Sequence, residues 1–305
     1  RESAQTVLIQ IFYSQPGKIA AIFLLEDKSM KHRTFIYLLV TGLILFFTSV
    51  ASHSASLQQD IAQGSVIEEI VKRGVLRVGM DTFQPWAMKD KNGNFIGFEI
   101  DVARRLADDM GVKVEFVPTA WSGIIPALLT GKFDVIIGGM GILPKRALKV
   151  NFTSPYDFSG MSIVAHKEMA AGFSSLEDFN KKDVQVAVKL GTSAVIAAKK
   201  HLPNATLRMF ENETQTYQEL RNGKVHAVVG SAPRPAFEAL QYEDSLFLPV
   251  KGNFTKEPIG FALRKGDPDA LAFFNSWITG VSLEGWLQER HEYWFETREW
   301  ADQVE

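Results

Sequence analysis

The chain has 305 residues, 46% of them hydrophobic and 22% charged, which is enough to build two domains with separate cores. The formal net charge of -2 argues against a nucleic acid as the main partner. Cysteine is absent from the sequence, which excludes disulfides, cysteine-ligated zinc and thiol catalysis. The six histidines show no metal-ligand spacing, so we expect no metal. The sequence has neither a dinucleotide-binding glycine motif nor a phosphate-binding loop, so we expect no cofactor.

The N-terminal part of the sequence carries an export signal. Residues 31–33 are basic, residues 34–50 are almost wholly apolar, and small residues precede a cleavage point after Ala51. This pattern predicts a signal peptide over residues 30–51 and a periplasmic protein. An uncleaved anchor is the alternative, because the apolar run nearly reaches membrane-spanning length. We interpret residues 1–29 as an upstream segment that is foreign to the mature protein.

The first half of the remaining chain alternates between strand and helix patterns. Short strands and helices in alternation predict a mainly parallel sheet that is covered on both faces. Gly111 follows the first of these helices and suits its C-terminal cap. The predicted elements are strand 75–80, a turn at Asn92-Gly93, helix 101–110, strand 112–118, helix 124–129 and strand 133–137.

The second half repeats this alternation and predicts another, smaller α/β lobe. Two similar halves in one chain place a ligand site in the cleft between them. The predicted elements are strand 184–188, a helix from 191 to about 200, strand 206–210, helix 215–222, strand 225–229, helix 233–240, strand 259–264, and helices 269–286 and 287–295.

A glycine-rich turn follows the buried strand 133–137. Gly138, Gly139 and Gly141 lack side chains, so backbone N–H groups can approach a ligand closely there. Arg146 follows a few residues later and carries a planar guanidinium that suits a carboxylate. Together these residues indicate an anion-binding turn.

Several segments, in this order and spacing, resemble the amino-acid-type solute-binding proteins that serve ABC importers. The resemblance extends over about residues 70–295, and no single segment carries it alone. The matching segments are 74–79, Phe83-Gln84-Pro85-Trp86, 97–101, Trp121 with 125–128, 132–136, 144–146, 154–156, 190–193 and 220–225.

The resemblance implies a two-lobed α/β periplasmic-binding-protein fold. Each lobe would be a mainly parallel sheet flanked by helices, with two crossover strands near 164–167 and 252–259. Lobe 1 would comprise residues 52–165 and 258–305, and lobe 2 residues 166–257. The resemblance also implies a monomeric, non-enzymatic receptor that delivers an amino acid or related small carboxylate to an inner-membrane permease.

The resemblance also assigns residues to the carboxylate site. Arg146 matches the family's arginine that binds the α-carboxylate of the ligand. Gly139 and Gly141 would offer backbone N–H groups, although the family commonly has Ser or Thr in place of Gly141. Thr192 and Ser193 open a helix in lobe 2, where N–H groups and hydroxyls suit a carboxylate.

Two aromatic residues would form the walls of the cleft. The resemblance places Phe83 on one wall and Trp121 on the opposite wall, where each would pack on the ligand side chain. Each of them could instead be an ordinary core aromatic.

One departure from the family concerns the ammonium group of the ligand. The family usually has Asp where this chain has Ser231. Either another carboxylate takes the ammonium, with Asp81, Glu211 and Glu238 as candidates, or the ligand has no α-ammonium. Arg234 is a further candidate, which would receive a second acidic group of the ligand if it faces the cleft.

An enzyme on the same scaffold is the main alternative. Cyclohexadienyl dehydratases resemble this family, and in such an enzyme Glu238 or Glu257 would be the candidate acid. Fold does not decide function here, but no acid–base pair can be placed in the cleft from sequence alone. A sensory module is a third, weaker interpretation.

Overall fold

The computed structural model describes residues 64–304. The predicted signal peptide over 30–51 and the upstream segment 1–29 lie outside the described residues. Within residues 64–304, no helix combines the length and the apolar character that a bilayer-spanning segment needs.

The first lobe is built around a five-stranded sheet of order β4-β1-β5-β14-β6. Strand β1 pairs in parallel with β4 and β5, whereas β14 joins the sheet antiparallel. This lobe takes its elements from both ends of the described chain. They are α1 Val66–Arg73, β1 Val75–Met80, β2 Met88–Lys89, β3 Phe95–Ile96, α2 Phe98–Asp109, β4 Lys113–Pro118, α3 Ile124–Leu129, β5 Val135–Ile136, α4 Pro144–Ala147, β6 Asn151–Phe152, β14 Ala262–Leu263, α8 Pro268–Leu283 and α9 Trp286–His291.

The second lobe has a five-stranded sheet of order β10-β9-β11-β8-β12. Strands β10, β9 and β11 run parallel, and β8 pairs antiparallel with β11 and β12. Its elements are β8 Met161–His166, β9 Gln185–Lys189, α5 Ser193–His201, β10 Thr206–Phe210, α6 Glu213–Arg221, β11 Ala227–Ser231, α7 Arg234–Gln241 and β12 Leu246–Phe247.

Two antiparallel strands connect the lobes. They are β7, Asp157–Ser159, and β13, Glu257–Ile259. The first crossing therefore precedes the predicted one at 164–167, because Met161–His166 lies inside the second sheet. Strand β8 is buried along almost its whole length. An apolar run has the same sequence pattern whether the strand lies inside a sheet or crosses between the lobes. We propose that the second lobe begins with β8.

Aromatic packing joins the C-terminal segment to both lobes. The ring centroid of Trp300, which is fully buried, lies 5.6 Å from that of Phe237 in α7. The indole Nε1 of Trp86 in the first lobe also donates to the carbonyl of Ala232, at 3.2 Å. The Ala232 carbonyl also accepts from the hydroxyl of Ser159 at 3.4 Å, so the contact of Trp86 lies beside the crossing strand β7.

A buried carboxylate fixes one end of the first sheet. Asp134 is 1% exposed and accepts hydrogen bonds from the backbone N–H and the Nη2 of Arg77, both at 2.8 Å. The guanidinium of Arg73, the last residue of α1, reaches the same carboxylate at 2.5 Å. Asp134 thus joins α1, β1 and the start of β5.

We expect Asp134→Ala to lower the free energy of unfolding by about 1.5–3 kcal/mol, because it leaves several charge-assisted donors without an acceptor. Urea unfolding at pH 7 measures this change. Glu289→Gln is the matched control, since its ion pair with Arg290 is exposed and such pairs contribute about 0–1 kcal/mol. Equal losses in the two variants would contradict the structural role of Asp134.

Candidate functional site

A pocket lies between the lobes, at the carboxyl ends of strands from both sheets. Open α/β sheets bind ligands at this end of their strands. The pocket has an empty volume of about 540 Å³, counting the open space at its mouth. The first lobe contributes Phe83, Trp121, Gly139 and Arg146, and the second lobe contributes Lys189, Thr192, Ser193, Ala194, Glu213, Thr216, Tyr217, Val228, Val229, Gly230 and Ser231.

Arg146 lies in α4 and is half-buried at the pocket. Its Nη1 donates to the carbonyl of Gly141 at 3.0 Å, and its Nη2 donates to that of Gly191, in the other lobe, at 3.3 Å. Its guanidinium lies 5.8 Å from the centroid of the Trp121 ring. Burial lowers the pKa of Arg146, and nearby Glu257 opposes this shift. Within residues 64–304, Arg146 forms no ion pair, although the carboxylate of Glu257 is close enough for its charge to act on the guanidinium.

The start of α5 faces the pocket from the second lobe. Thr192 is the N-cap residue, but its hydroxyl donates to the carbonyl of Lys189 at 2.7 Å and caps no N–H group. Ser193, the first residue of α5, is 8% exposed and lines the pocket. A helix start with uncapped N–H groups favours an anion. Arg146 and the start of α5 therefore lie at the same pocket from opposite lobes, and each of them favours an anion.

The backbone N–H of Gly139 is not free to bind a ligand, contrary to the expectation from the glycine turn. It donates to Oε1 of Glu99 at 2.8 Å. Gly139 has φ +64°, and a Cβ there would come 2.7 Å from the Phe83 ring. This glycine is needed for the shape of the turn and for contact with the aromatic wall.

Gly141 lies beside the pocket, and its lack of a side chain has a steric reason. A Cβ on Gly141 would come 2.8 Å from Oε2 of Glu257 and 3.3 Å from Oγ of Ser193. Glu257 is 9% exposed and lies in the crossing strand β13. The carboxylate of Glu257 occupies the space that a serine or threonine side chain would require.

Asp81 is close to the pocket but is already paired. Its Oδ2 lies 2.7 Å from Nζ of Lys189, in the other lobe, and accepts from the backbone N–H of Trp121 at 3.1 Å. The Lys189 ammonium also lies 5.9 Å from the centroid of the Phe83 ring. Sequence reasoning missed Lys189, although a lysine at the end of an apolar strand was a usable signal.

Arg234 is not among the residues that line the pocket. It forms an ion pair with Glu238 in the next turn of α7 and donates to the side chain of Gln84 in the first lobe. Glu238 is fully buried and also accepts from Arg221 at 2.9 Å. Both charges are therefore satisfied within the protein.

Ser231 lines the pocket at the end of β11, as its place in the sequence suggested. Glu213 and Tyr217, one turn apart on α6, also line it and were missed. The predicted helix 215–222 began after Glu213, whereas Asn212 caps the helix earlier by accepting from the backbone N–H of Gln215. The cap residue Asn212 was the signal that could have found this turn.

Metal chemistry has no support in the described part of the chain. No group of three or more His, Cys, Asp or Glu side chains in residues 64–304 could hold a metal ion.

The sequence profile of the bacterial extracellular solute-binding proteins, family 3, matches residues 76–297. The chain belongs to this family, which confirms the predicted family and the two-lobed α/β class. The L-cystine-binding protein TcyJ of Escherichia coli K12 is 30% identical over 78% of this chain and 88% of its own. The cyclohexadienyl dehydratase of Pseudomonas aeruginosa is 26% identical over 80% of this chain and 90% of its own.

Solved structures are similar over the whole two-lobed unit. The ancestral amino acid-binding protein AncCDT-1, described as a precursor of cyclohexadienyl dehydratase, is 46% identical, with a TM-score of 0.69. The match covers 76% of this chain and all of that protein. A putative ABC-transporter binding component from Wolinella succinogenes, solved with lysine, is 40% identical, with a TM-score of 0.70. That match covers 75% of this chain and 99% of the other.

Glu99 supports the glycine turn from the first turn of α2. Burial raises the pKa of Glu99 to about 8, and the hydrogen bond from Tyr156 opposes the shift. Both carboxyl oxygens lie 2.7 Å from the Tyr156 hydroxyl, while Oε1 also accepts from Gly139. A protonated Glu99 satisfies this geometry, because its O–H can donate to the Tyr156 oxygen.

We predict that Glu99 makes stability fall as pH rises. Between its ordinary pKa of 4.5 and its folded value of about 8, the folded state retains a proton that the unfolded state releases. The free energy of unfolding then falls by at most about 1.4 kcal/mol per pH unit, and the fall ends above the folded pKa. Glu99→Gln mimics the protonated acid and removes this fall.

Urea unfolding of both proteins from pH 5 to pH 9 tests this prediction. Groups that titrate in both proteins, such as His291, cancel in the difference between the two curves. Parallel stability curves for the wild type and Glu99→Gln would show that Glu99 is ionised in the folded protein.

Proposed function

We propose that this protein is the periplasmic receptor of an ABC importer and that it binds an amino acid in the pocket between its lobes. The carboxylate of the ligand would bind between Arg146 and the start of α5. The observation that carries this proposal is the half-buried Arg146 guanidinium, which lacks an ion-pair partner among residues 64–304 and faces a helix N-terminus in the other lobe.

The binding free energy that such a site can supply is of the size that micromolar binding requires. A hydrogen bond to a charged group contributes about 1.5–3 kcal/mol, and micromolar binding requires about 8 kcal/mol. Two bonds from Arg146 and one from α5 would supply a large part of this value. Packing on Trp121 and Phe83 would add to it.

The ligand would also stabilise the closed arrangement of the lobes. Contacts across the cleft already exist, including the hydrogen bond from Ser122 to Glu211 at 2.9 Å and the ion pair of Lys189 with Asp81. A ligand that touches both lobes binds the closed state better than an open one, so it shifts the population toward closure. An inner-membrane permease would then receive the ligand from the closed, monomeric receptor.

The supporting observations also bear on location and substrate. Relatives are named as binding proteins for cystine, arginine and histidine, and one neighbour was solved with lysine. We therefore propose an amino acid as the ligand, a cleaved signal over residues 30–51, and release into the periplasm.

A dehydratase is the second candidate function. The relative from Pseudomonas aeruginosa carries that name, and burial raises the pKa of Glu213, in the pocket, to about 7. An acid with a pKa near the working pH suits proton donation. Glu238 does not suit this role, because two arginines bind it. Incubation with prephenate or arogenate, followed by product detection, would reveal turnover.

We predict that Arg146→Ala abolishes the thermal shift that the best amino acid gives and weakens its affinity at least about 100-fold. A thermal-shift screen of amino acids, keto acids, hydroxy acids and dicarboxylic acids identifies the ligand, and titration calorimetry measures the affinity. Lys145→Ala, an exposed neighbour outside this pocket, should bind like the wild type. Unchanged affinity in Arg146→Ala would contradict the proposed carboxylate site.

A further inference from the structure

The acidic side chains suggested as substitutes for the missing aspartate at position 231 are all engaged. Asp81 forms an ion pair with Lys189, and Glu238 is bound by two arginines. Glu211 is exposed and accepts from the hydroxyl of Ser122. None of these carboxylates lines the pocket, so none is available to a ligand there.

Glu213 differs from these three acids, because it lines the pocket and has no partner. Within the described residues, its carboxyl group forms neither an ion pair nor a hydrogen bond. Burial raises the pKa of Glu213 to about 7, and the positive charges of Lys189 and Arg234 oppose this shift without touching the group. A carboxylate that is partly removed from water and unpaired is costly, and a cation would relieve that cost.

The hydroxyl of Tyr217 is a second unpartnered polar group in the same wall. Tyr217 lies one helical turn beyond Glu213, is 1% exposed and lines the pocket, yet its hydroxyl has no hydrogen-bond partner among residues 64–304. Gly230 makes room for it, since a Cβ there would come 2.6 Å from the Tyr217 oxygen. Buried hydroxyl groups are normally hydrogen-bonded, so an unsatisfied one at a pocket wall indicates a ligand atom.

We propose that Glu213 and Tyr217 form a subsite for a protonated nitrogen of the ligand. This inference rests on the proposed function, in which Arg146 and α5 hold the carboxylate of the same ligand. Glu213 accepts from the ammonium and supplies its counter-charge, while the Tyr217 oxygen accepts a second N–H. Ser231, at the end of β11 in the same pocket, adds a neutral hydroxyl in place of the missing carboxylate.

The nitrogen is either the α-ammonium of an amino acid or a cationic group on its side chain. Both sources present the same chemistry, namely N–H donors and one positive charge. A molecule with one carboxylate and one ammonium complements the two opposite charges that lie unpaired in the pocket.

Cation binding at this subsite is coupled to proton release. The bound cation favours the ionised form of Glu213, so binding should tighten as pH rises from 6 to 8. The other charged or titratable groups near Glu213 are Lys189 on β9, Arg234 and Glu238 on α7, Asp81 after β1, and Tyr217 on α6.

Four six-carbon probes test the proposal by titration calorimetry with the wild type and with Glu213→Gln. Hexanoate carries only a carboxylate, and L-norleucine adds an α-ammonium. The compound 6-aminohexanoate adds only a terminal ammonium, and L-lysine carries both. Glu219→Gln, on the same helix but outside the pocket, is the matched control.

We expect Glu213→Gln to weaken the affinity for the ammonium-bearing probe that uses the subsite by about 10-fold to 100-fold, and to leave the affinity for hexanoate unchanged. A loss for L-norleucine identifies the α-ammonium, and a loss confined to L-lysine and 6-aminohexanoate identifies the side-chain cation. The tightening of L-lysine binding between pH 6 and pH 8 should also disappear. Tyr217→Phe, which removes only an unpartnered hydroxyl, should weaken the affinity for the same probe by a smaller factor.

Equal affinity of the wild type and Glu213→Gln for every probe would overturn the subsite while leaving the carboxylate site intact. Failure of the wild type to bind any of the four probes or any amino acid of the thermal-shift screen would instead contradict the proposed function. Turnover of prephenate that Glu213→Gln abolishes would assign Glu213 to proton donation and would also overturn the subsite.

Discussion

The half-buried guanidinium of Arg146 has no anionic partner within the described residues, and the organisation of the cleft depends on this unpaired charge. Carbonyl groups at Gly141 and Gly191 hold it in place, one from each lobe, but they do not neutralise it. Leaving a charge partly desolvated and unpaired is unfavourable, so the pocket is energetically incomplete without an anion. The start of α5, on the opposite lobe, has the polarity that attracts the same anion.

Two of the cations near the cleft, Lys189 and Arg234, are paired within the protein. Lys189 could have neutralised Glu213, but it is bound to Asp81 at 2.7 Å. Arg234 could have done so too, but its guanidinium is bound to Glu238 and Gln84. Within the described residues, Arg146 and Glu213 therefore lie in one pocket without an ion-pair partner, and a zwitterionic ligand would pair both. The ion pair of Lys189 with Asp81 joins the two lobes and stabilises their closed arrangement. Less of the binding free energy of the ligand is then needed for closure.

The residues that strand ends place in the pocket could be predicted from sequence. Trp121, Thr192 and Ser231 follow or end strands with clear apolar patterns, and parallel strands bring their carboxyl ends to one edge. Glu213 and Tyr217 could not be found in this way, because they lie on a helix whose polar sequence resembles a solvent-exposed face. Whether these two side chains face the pocket depends on how α6 packs against the second sheet, which is a tertiary property.

The glycine turn shows a similar limit. The sequence pattern predicted that a ligand approaches the backbone of Gly139 and Gly141, whereas other groups of the protein lie against both glycines. Glu99 and the Phe83 ring occupy the surroundings of the first, and Glu257 those of the second. All three contacts join segments distant in sequence, so no local pattern distinguishes a glycine that admits a ligand from one that admits a buried carboxylate.

A carboxyl group that titrates near neutral pH can bind a cation or donate a proton, and the charge of the ligand decides between these two roles. A ligand with an ammonium group beside Glu213 stabilises the carboxylate and lowers its pKa, so the group remains a binding partner. A ligand with only anionic groups raises the pKa and keeps the proton on the acid, which then suits donation to a leaving group. The nearby cations Lys189 and Arg234 favour the carboxylate form. Asp81 and Glu238 oppose these cations and favour the protonated acid, so the charge of the ligand beside this one residue separates a receptor from a dehydratase on this scaffold.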